Sequence, residues 1–268
     1  MTRLAVIGAG VMGEALVSGL LRAGWSADDI VAADRRDFRR AEMTAAHGIR
    51  ALGNAEAAAE ADTVARAVKP QDGGAARPAI SPVLRPGTLL VSLCAGVTTK
   101  ALESHLPAGT AVVRVMPNTP ALVSEGMAAV SAGSNASESD VEHAMQLMTA
   151  LGKAITVPEN YQDAVTAISG SGPAYLFFVV EAMIDAGVML GLPRDIATTL
   201  VNQTMFGSAK LLIESGQHPT VLREQVTSPG GTTAAALRQL EDHRVKAAFI
   251  TAMEAARDRS RALAQPSS

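Results

Sequence analysis

A glycine-rich turn near the start of the chain has the residue types needed to hold a phosphate. Gly8, Gly10 and Gly13 are spaced as G-x-G-x-x-G, after an apolar run and before a helical pattern. In such a turn the first glycine permits the bend, the second leaves room for pyrophosphate oxygens beside backbone N–H groups, and the third allows close helix packing. The sequence therefore predicts a dinucleotide site at this turn, formed by Gly8, Ala9, Gly10, Val11, Met12 and Gly13; a phosphate-free glycine turn is the alternative.

Charged residues of opposite sign follow the second apolar run. Asp34 lies 21 residues after Gly13, where a carboxylate would accept hydrogen bonds from an adenosine ribose and favour NAD. Arg35 and Arg36 follow directly, and a guanidinium there would hold the 2′-phosphate of NADP. A solvated helix start also explains the two arginines, so these residues leave the choice of cofactor open.

Other loops carry residues suited to a ligand. Lys69 and Pro70 end an apolar run at the predicted carboxyl edge of the sheet, which aims the lysine at the ligand crevice; an ordinary surface lysine is the alternative. Three segments, residues 116–120, 169–173 and 228–233, place small residues and hydroxyls where helices begin or strands end, as a carboxylate site requires. Turn chemistry explains any one of them, but three favour a shared site.

Alternating runs over the first 115 or so residues predict a parallel, doubly wound α/β sheet that positions these loops. The predicted strands are Arg3–Ile7, Ile30–Ala33, Ile49–Ala51, Thr63–Val68, Leu89–Leu93 and Ala111–Val115, with Ala128–Ala132 as a further edge strand. The predicted helices of this part are Met12–Ala23, Arg36–His47 and Glu138–Leu151, the last capped by Ser137.

Beyond about Val157 the pattern is helical throughout. The predicted helices are Ala164–Ile168, Pro173–Leu190, Pro193–Glu214, Pro219–Val226, Thr233–Glu241 and His243–Leu263. Residues 176–180 are continuously apolar, and a helix that is apolar all round must be buried, so we expect an obligate dimer at least. We predict a dinucleotide-binding domain over residues 1–157 and an all-α substrate and dimerisation domain over residues 158–268.

Composition excludes several classes of partner. The net charge of -3 and an aromatic content of 3% argue against nucleic acid. The lone cysteine, Cys94, cannot form an internal disulfide, and the N-terminus lacks a signal-peptide pattern, which favours the cytoplasm. No uninterrupted apolar run is long enough to cross a membrane, so we expect no membrane partner.

The motifs together resemble those of the Δ1-pyrroline-5-carboxylate reductase family, the last enzymes of proline biosynthesis. The resemblance covers nearly the whole chain, and its most specific parts are SGSGPAY and TSPGGTT. The matching segments are IGAGVMGEALVSGLL, AVKPQ at 67–71, CAGVT at 94–98, RVMPNTPALVSEGM at 114–127, DAVTAISGSGPAY at 163–175 and QVTSPGGTTAAALRQLE at 225–241. It implies a Rossmann domain, a helical domain that interlocks with a second subunit, and dimers or rings of dimers such as a decamer. The implied reaction reduces the cyclic imine 1-pyrroline-5-carboxylate to L-proline with NADPH, or with NADH.

The same resemblance implies roles for individual residues. It assigns adenosine recognition to Arg35 and Asn54, and nicotinamide contacts to Ala67, Val68, Lys69 and Pro70 and to Cys94, Ala95 and Gly96. It assigns the substrate carboxylate to Gly231, Thr232 and Thr233, places Glu159 near the substrate, and makes Thr233 the hydrogen-bond partner of the ring nitrogen. The chain departs from the family pattern at Arg66, a charge in a central strand, and over residues 72–78, which are poor helix material.

Two other functions remain open on the residues. A β-hydroxyacid dehydrogenase would also pair this glycine turn with a helical domain but needs a lysine there in a glycine-rich motif, and none of Lys153, Lys210 and Lys246 is so placed. A non-catalytic dinucleotide-sensing module is the second alternative. We interpret the histidines as surface residues with no metal-ligand spacing, namely His47, His105, His143, His218 and His243.

Overall fold

One mixed sheet organises the first part of the chain in the computed structural model, which describes residues 3–68 and 80–264. Its strands, in the described residues, run in the spatial order β3-β2-β1-β4-β5-β6-β7-β8. They are β1 Leu4–Ile7, β2 Ile30–Ala33, β3 Arg50–Leu52, β4 Thr63–Arg66, β5 Leu89–Ser92, β6 Ala111–Met116, β7 Gly126–Ala132 and β8 Gly152–Thr156. The order reverses between β1 and β4, which is where doubly wound sheets bind their ligands.

Strands β1 to β6 are parallel, as predicted, and the last two strands depart from the prediction. β7 runs antiparallel to β6 and is not an edge strand, because β8 pairs with it in parallel on its outer side. The sequence analysis assigned no strand to β8, whose residues GKAIT are mostly exposed or half-buried. A short strand of that kind lacks the continuous apolar run by which buried parallel strands are recognised.

Helices cover both faces of this sheet. They are α1 Val11–Arg22, α2 Asp37–His47, α3 Asn54–Glu60, α4 Thr99–Glu103 and α5 Glu138–Thr149. The short helices α3 and α4 were not predicted, since neither is long enough to show a helical period. The predicted cap of α5 is confirmed: Ser137 Oγ accepts the Asp140 N–H at 3.3 Å, and Asp140 accepts the Ser137 N–H at 2.8 Å.

Alternate residues of the central strands point to opposite faces and are buried on both. Leu4 and Val6 of β1 lie in one apolar cluster, whereas Ala5 and Ile7 lie in the other. Such two-sided burial explains the continuous apolar runs in the sequence.

The rest of the described chain is helical, as predicted. Its helices are α6 Gln162–Val165, α7 Gly172–Met189, α8 Arg194–Ser215, α9 Pro219–Gln225, α10 Thr232–Asp242 and α11 Val245–Ala264, and a π-helical turn at Thr166–Gly170 follows α6. α7 and α8 pack so closely at Gly187 that a Cβ there would lie 3.0 Å from the Cβ of Ala197.

Contacts within the chain define two compact units. One comprises the described residues of Met1–Ser171 together with those of Ala255–Ser268, and the other is Gly172–Glu254. Within the first unit Ser260, which is buried, donates a hydrogen bond to Asp163 at 2.7 Å. The domain boundary predicted between residues 157 and 158 stays a prediction, because compactness alone does not define a functional domain.

Candidate active site

The glycine turn combines two crowded positions with one open position. Gly8 has a φ of 99°, and a Cβ there would lie 2.8 Å from the carbonyl oxygen of Ala67. A Cβ on Gly13 would lie 2.0 Å from the carbonyl oxygen of Gly8. A Cβ on Gly10 would instead meet nothing within 4 Å among the described residues, and Gly10 begins α1 in an extended conformation without a side-chain cap. The space beside Gly10, next to first-turn N–H groups, therefore suits an anionic group.

Asp34 holds this turn to the end of β2. Its side chain is 6% exposed, and its Oδ2 accepts the N–H of Ala9 at 3.1 Å. Arg36 donates to both carboxylate oxygens, from Nε at 2.9 Å and from the terminal nitrogen at 3.0 Å. Burial raises the pKa of Asp34, but the hydrogen bonds from Arg36 outweigh it, and the pKa is lowered. The carboxylate thus has protein partners at both oxygens, while the predicted contact with a ribose stays a prediction.

A second arginine, which the sequence analysis did not single out, also secures the turn. Arg39 donates from Nε to the carbonyl oxygen of Ala9 at 2.5 Å and forms ion pairs with Glu14 and Glu42. His47 Nε2 lies 3.2 Å from Glu14 Oε1. Burial raises the pKa of Glu14, but hydrogen bonds from Arg39 and His47 outweigh it, so the pKa is lowered.

Two histidines expected at the surface are partly buried, so that interpretation was wrong for them. The side chain of His47 is 15% exposed and contacts Glu14. His143 lies within α5 beside Trp25, and burial lowers its pKa. Among the residues that the structure describes, no group of three or more His, Cys, Asp or Glu side chains is arranged to hold a metal ion.

The loops after β4 and β5 meet at the carboxyl edge of the sheet. The buried thiol of Cys94 lies 3.2 Å from the carbonyl oxygen of Val68 and 3.5 Å from that of Arg66. The N–H of Ala67 donates to Ile7 at 2.8 Å, next to the glycine turn. Ala67, Val68 and Cys94 are therefore brought beside that turn, and Ala95 and Gly96 follow directly. The predicted roles of Lys69 and Pro70, and the departure over residues 72–78, lie outside the described residues.

Two more sequence-predicted residues lie near this edge. Arg66 ends β4 and is 1% exposed, so the strand accommodates the charge that was expected to disturb it. The Oδ1 atom of Asn54 is buried, with no hydrogen-bond partner among the described residues. That acceptor is free for a donor from a ligand.

Glu159 lies in a cluster of polar residues within the first unit. Its Oε1 accepts the backbone N–H of Thr99 at 2.7 Å, and its Oε2 accepts the Thr99 hydroxyl at 2.6 Å. Arg114, on β6, donates to Oε1 at 3.2 Å. The partners Thr99 and Arg114 were not singled out in the sequence, because 60 and 45 residues separate them from Glu159.

Two of the three loops predicted to share a site do meet within the first unit. Asn118, in residues 116–120, donates to the carbonyl oxygen of Ser169 at 3.1 Å and accepts the N–H of Met127 at 2.8 Å. A Cβ on Gly170 would lie 2.4 Å from the methyl carbon of Met116. The first loop thus fixes the π-helical turn of the second.

The third loop, in the second unit, leads into α10. Gly230 has a φ of 69°, and the N–H of Gly231 donates to Ser228 at 3.0 Å. Gly231 is the cap residue, and no side chain of the described residues caps the helix. Thr233 is the second residue of α10 and is half-buried. Thr233 therefore does not cap this helix, and the first-turn N–H groups have no side-chain acceptor in the part of the chain that the structure describes.

The helices of the second unit expose apolar side chains in the single chain. Phe177 and Phe178 are 67% and 72% exposed, and Met189 is 88% exposed. By length and composition the described run Glu159–Met189 could cross a membrane, because an 18-residue window within it has a mean hydropathy of 1.4. The sequence analysis counted only uninterrupted apolar residues and so missed this run, which glycine and serine punctuate. Exposed apolar surface of this kind marks a site of interaction.

Comparisons with known proteins match the two parts of the chain separately. Residues 159–263 match the family model described as pyrroline-5-carboxylate reductase dimerisation, and residues 3–96 match that of NADP oxidoreductase, coenzyme F420-dependent.

Full-length relatives show the same likeness. A pyrroline-5-carboxylate reductase of Mycobacterium tuberculosis is 42% identical, over 98% of this chain and 97% of its own length. The structure of such a reductase from Coxiella burnetii has a TM-score of 0.92 and 34% identity, covering 98% of this chain and 99% of the other. A Plasmodium falciparum pyrroline carboxylate reductase with NADP bound has a TM-score of 0.88 and 32% identity, covering 98% of both chains.

Proposed function

This chain belongs to the pyrroline-5-carboxylate reductase family, and from that premise we infer how its residues reduce the cyclic imine 1-pyrroline-5-carboxylate to L-proline. The activity makes it an NAD(P)H-dependent oxidoreductase that acts on a CH–NH group, at the last step of proline biosynthesis. The main support for a cofactor site is the open position at Gly10, which lies between two glycines that admit no side chain.

Hydride transfer to an imine carbon requires little acid–base machinery when the nitrogen arrives protonated, because the iminium already accepts an electron pair. A bound reduced nicotinamide supplies the hydride. The protein then contributes position and electrostatic stabilisation. The predicted site residues of the helical unit are glycines and threonines, which suit this positioning role better than acid–base catalysis.

NADPH is the cofactor that the charges at the end of β2 favour. Arg36 neutralises Asp34, which would otherwise repel a 2′-phosphate, and the exposed Arg35 lies beside it. A guanidinium binds phosphate through charge-assisted hydrogen bonds. We assign the adenosine end to Arg35 and Asn54, and the nicotinamide end to the loops at Ala67–Val68 and Cys94–Gly96; NADH is the weaker alternative.

The start of α10 is our candidate for the substrate's carboxylate. Gly231, Thr232 and Thr233 present N–H groups that no side chain of the described residues caps, at the positive end of the helix dipole. The Thr233 hydroxyl would then be the partner of the ring nitrogen and would stabilise its proton during hydride transfer.

A second copy of the chain is the proposed cover for the apolar helices. The exposed phenylalanines of α7 lie in the segment that matches a dimerisation domain. We therefore infer a homodimer in the cytoplasm rather than insertion into lipid, and rings of dimers remain a further proposal.

Turnover of the purified protein tests the function directly. We expect the absorbance of NADPH to fall when 1-pyrroline-5-carboxylate is added and L-proline to form in equal amount. A β-hydroxyacid should give no turnover. Cofactor binding without turnover of the imine would instead identify a dinucleotide sensor.

A further inference from the structure

We propose that Glu159 is a positioning residue that fixes the loop of residues 94–98 for the nicotinamide, and that it does not bind substrate. The proposal rests on the proposed function, because it concerns the loop that we assign to the cofactor. That loop follows β5 and ends where α4 begins at Thr99.

Both oxygens of the Glu159 carboxylate are already engaged. Thr99 donates its N–H to one and its hydroxyl to the other, at 2.7 Å and 2.6 Å, and Arg114 adds a third contact at 3.2 Å. Thr99 and Arg114 are 5% and 3% exposed. A carboxylate in this arrangement has little capacity left for a ligand, and its charge would repel the carboxylate of the substrate.

The contacts join three elements that are distant in sequence. Glu159 begins a single 3-10 turn after β8, Thr99 begins α4, and Arg114 belongs to β6. The loop is also held at its other end, where the Cys94 thiol contacts Val68 at 3.2 Å. Fixing both ends limits the conformations open to Gly96, which has a φ of 71°.

A carboxylate suits this cluster better than an amide. An amide could keep its oxygen on the Thr99 N–H, but its NH2 group would have to donate to the Thr99 hydroxyl and so reverse that hydrogen bond, whereas the carboxylate accepts from both. It also balances the charge of Arg114, which is buried and has one terminal nitrogen with no hydrogen-bond partner among the described residues.

The test compares Glu159→Gln and Thr99→Val with wild type. We expect each to weaken NADPH binding, measured by fluorescence titration without substrate, and to lower kcat by tenfold or more. The KM for the imine should stay within about twofold. Thr99→Ser, which keeps the hydroxyl, should restore both quantities. Thr110→Val is the matched control, because it removes a hydroxyl that contacts only Pro107 among the described residues, in an exposed loop, at 2.7 Å.

A raised KM for the imine with unchanged NADPH affinity would overturn the proposal and return Glu159 to the substrate site. The variant that combines Glu159→Gln with Thr99→Val gives a second check. If its loss of NADPH affinity equals the sum of the two single losses, the proposal is overturned, because residues in one cluster should be coupled. If Glu159→Gln does not fold, Thr99→Val decides, since it leaves the pair with Arg114 intact. Failure of the proposed function would be a different result, namely wild-type protein that does not reduce the imine. In that case the NADPH titration of the variants would still test whether Glu159 and Thr99 position the cofactor loop.

Discussion

Replacement of Gly10 by valine separates cofactor binding from folding more cleanly than any other change in the glycine turn. Gly10 has a φ of -77°, which suits any L-residue, and a Cβ would meet nothing within 4 Å among the described residues. We expect the Gly10→Val variant to be about as stable as wild type. Valine restricts the unfolded chain, which stabilises the folded protein by about 0.4–1 kcal/mol, and its poorer N-cap destabilises it by a similar amount. We expect the melting temperature to change by no more than about 4 °C.

Cofactor binding should suffer far more. The added methyl groups would occupy the space in which pyrophosphate oxygens approach the first-turn N–H groups of α1. Each charge-assisted hydrogen bond lost weakens binding by about 1.5–3 kcal/mol, so the loss of two lowers affinity roughly 10²- to 10⁴-fold. The helical unit carries no residue of this turn and should stay folded.

Fluorescence titration with NADPH and thermal melting, on the same samples, check this prediction. Gly13→Ala is the contrasting variant, because its Cβ would lie 2.0 Å from the Gly8 carbonyl oxygen. Overpacking of this kind costs about 1–3 kcal/mol or more, a loss of roughly 2–12 °C in melting temperature. Normal NADPH affinity in folded Gly10→Val would refute the assignment of the pyrophosphate to this turn.

Four further changes test the rest of the site. Arg35→Ala should weaken NADPH more than NADH by about 1–3 kcal/mol in titrations, and equal losses would remove Arg35 from the phosphate site. The folded pKa of Asp34 lies below its unfolded value, so its contribution to stability is present at neutral pH and is lost below about pH 4; thermal melts of Asp34→Asn should show a weaker decline in acid than wild type. Thr233→Ala should lower turnover by tenfold or more with NADPH affinity unchanged and Thr233→Ser should restore it, whereas normal turnover of the alanine variant would exclude the catalytic contact. Phe178→Asp should dissociate the dimer in light scattering, and a wild-type protein that is a stable, active monomer would refute the dimer itself.

The predictable parts of this fold are those encoded by neighbouring residues. The glycine turn, its strand and its helix follow from spacing alone, and so do the parallel strands with their continuous apolar runs. β8 could not be predicted, because three of its five residues are exposed and an edge strand needs no apolar run.

The partners of the candidate site residues were equally hidden. Glu159 contacts Thr99 and Arg114 only because the strand order brings their loops together, and no local pattern in the sequence encodes such a contact. The engagement of Asp34 by Arg36 had a local signal, the spacing of two residues, but the same spacing suited a free carboxylate for a ribose. Spacing identifies the residue types at a site, whereas topology decides which of them meet.

The return of the chain to its first unit, through residues 255–264, has a consequence for synthesis. The helical segment Gly172–Glu254 is in effect an insertion, because the unit that precedes it also includes residues that follow it. On the ribosome, Asp163 emerges long before Ser260, its hydrogen-bond partner, so the first unit cannot be completed until almost the whole chain has been translated. Ribosome-bound chains that stop before residue 255 should therefore carry a first unit that is more sensitive to proteolysis than the released protein.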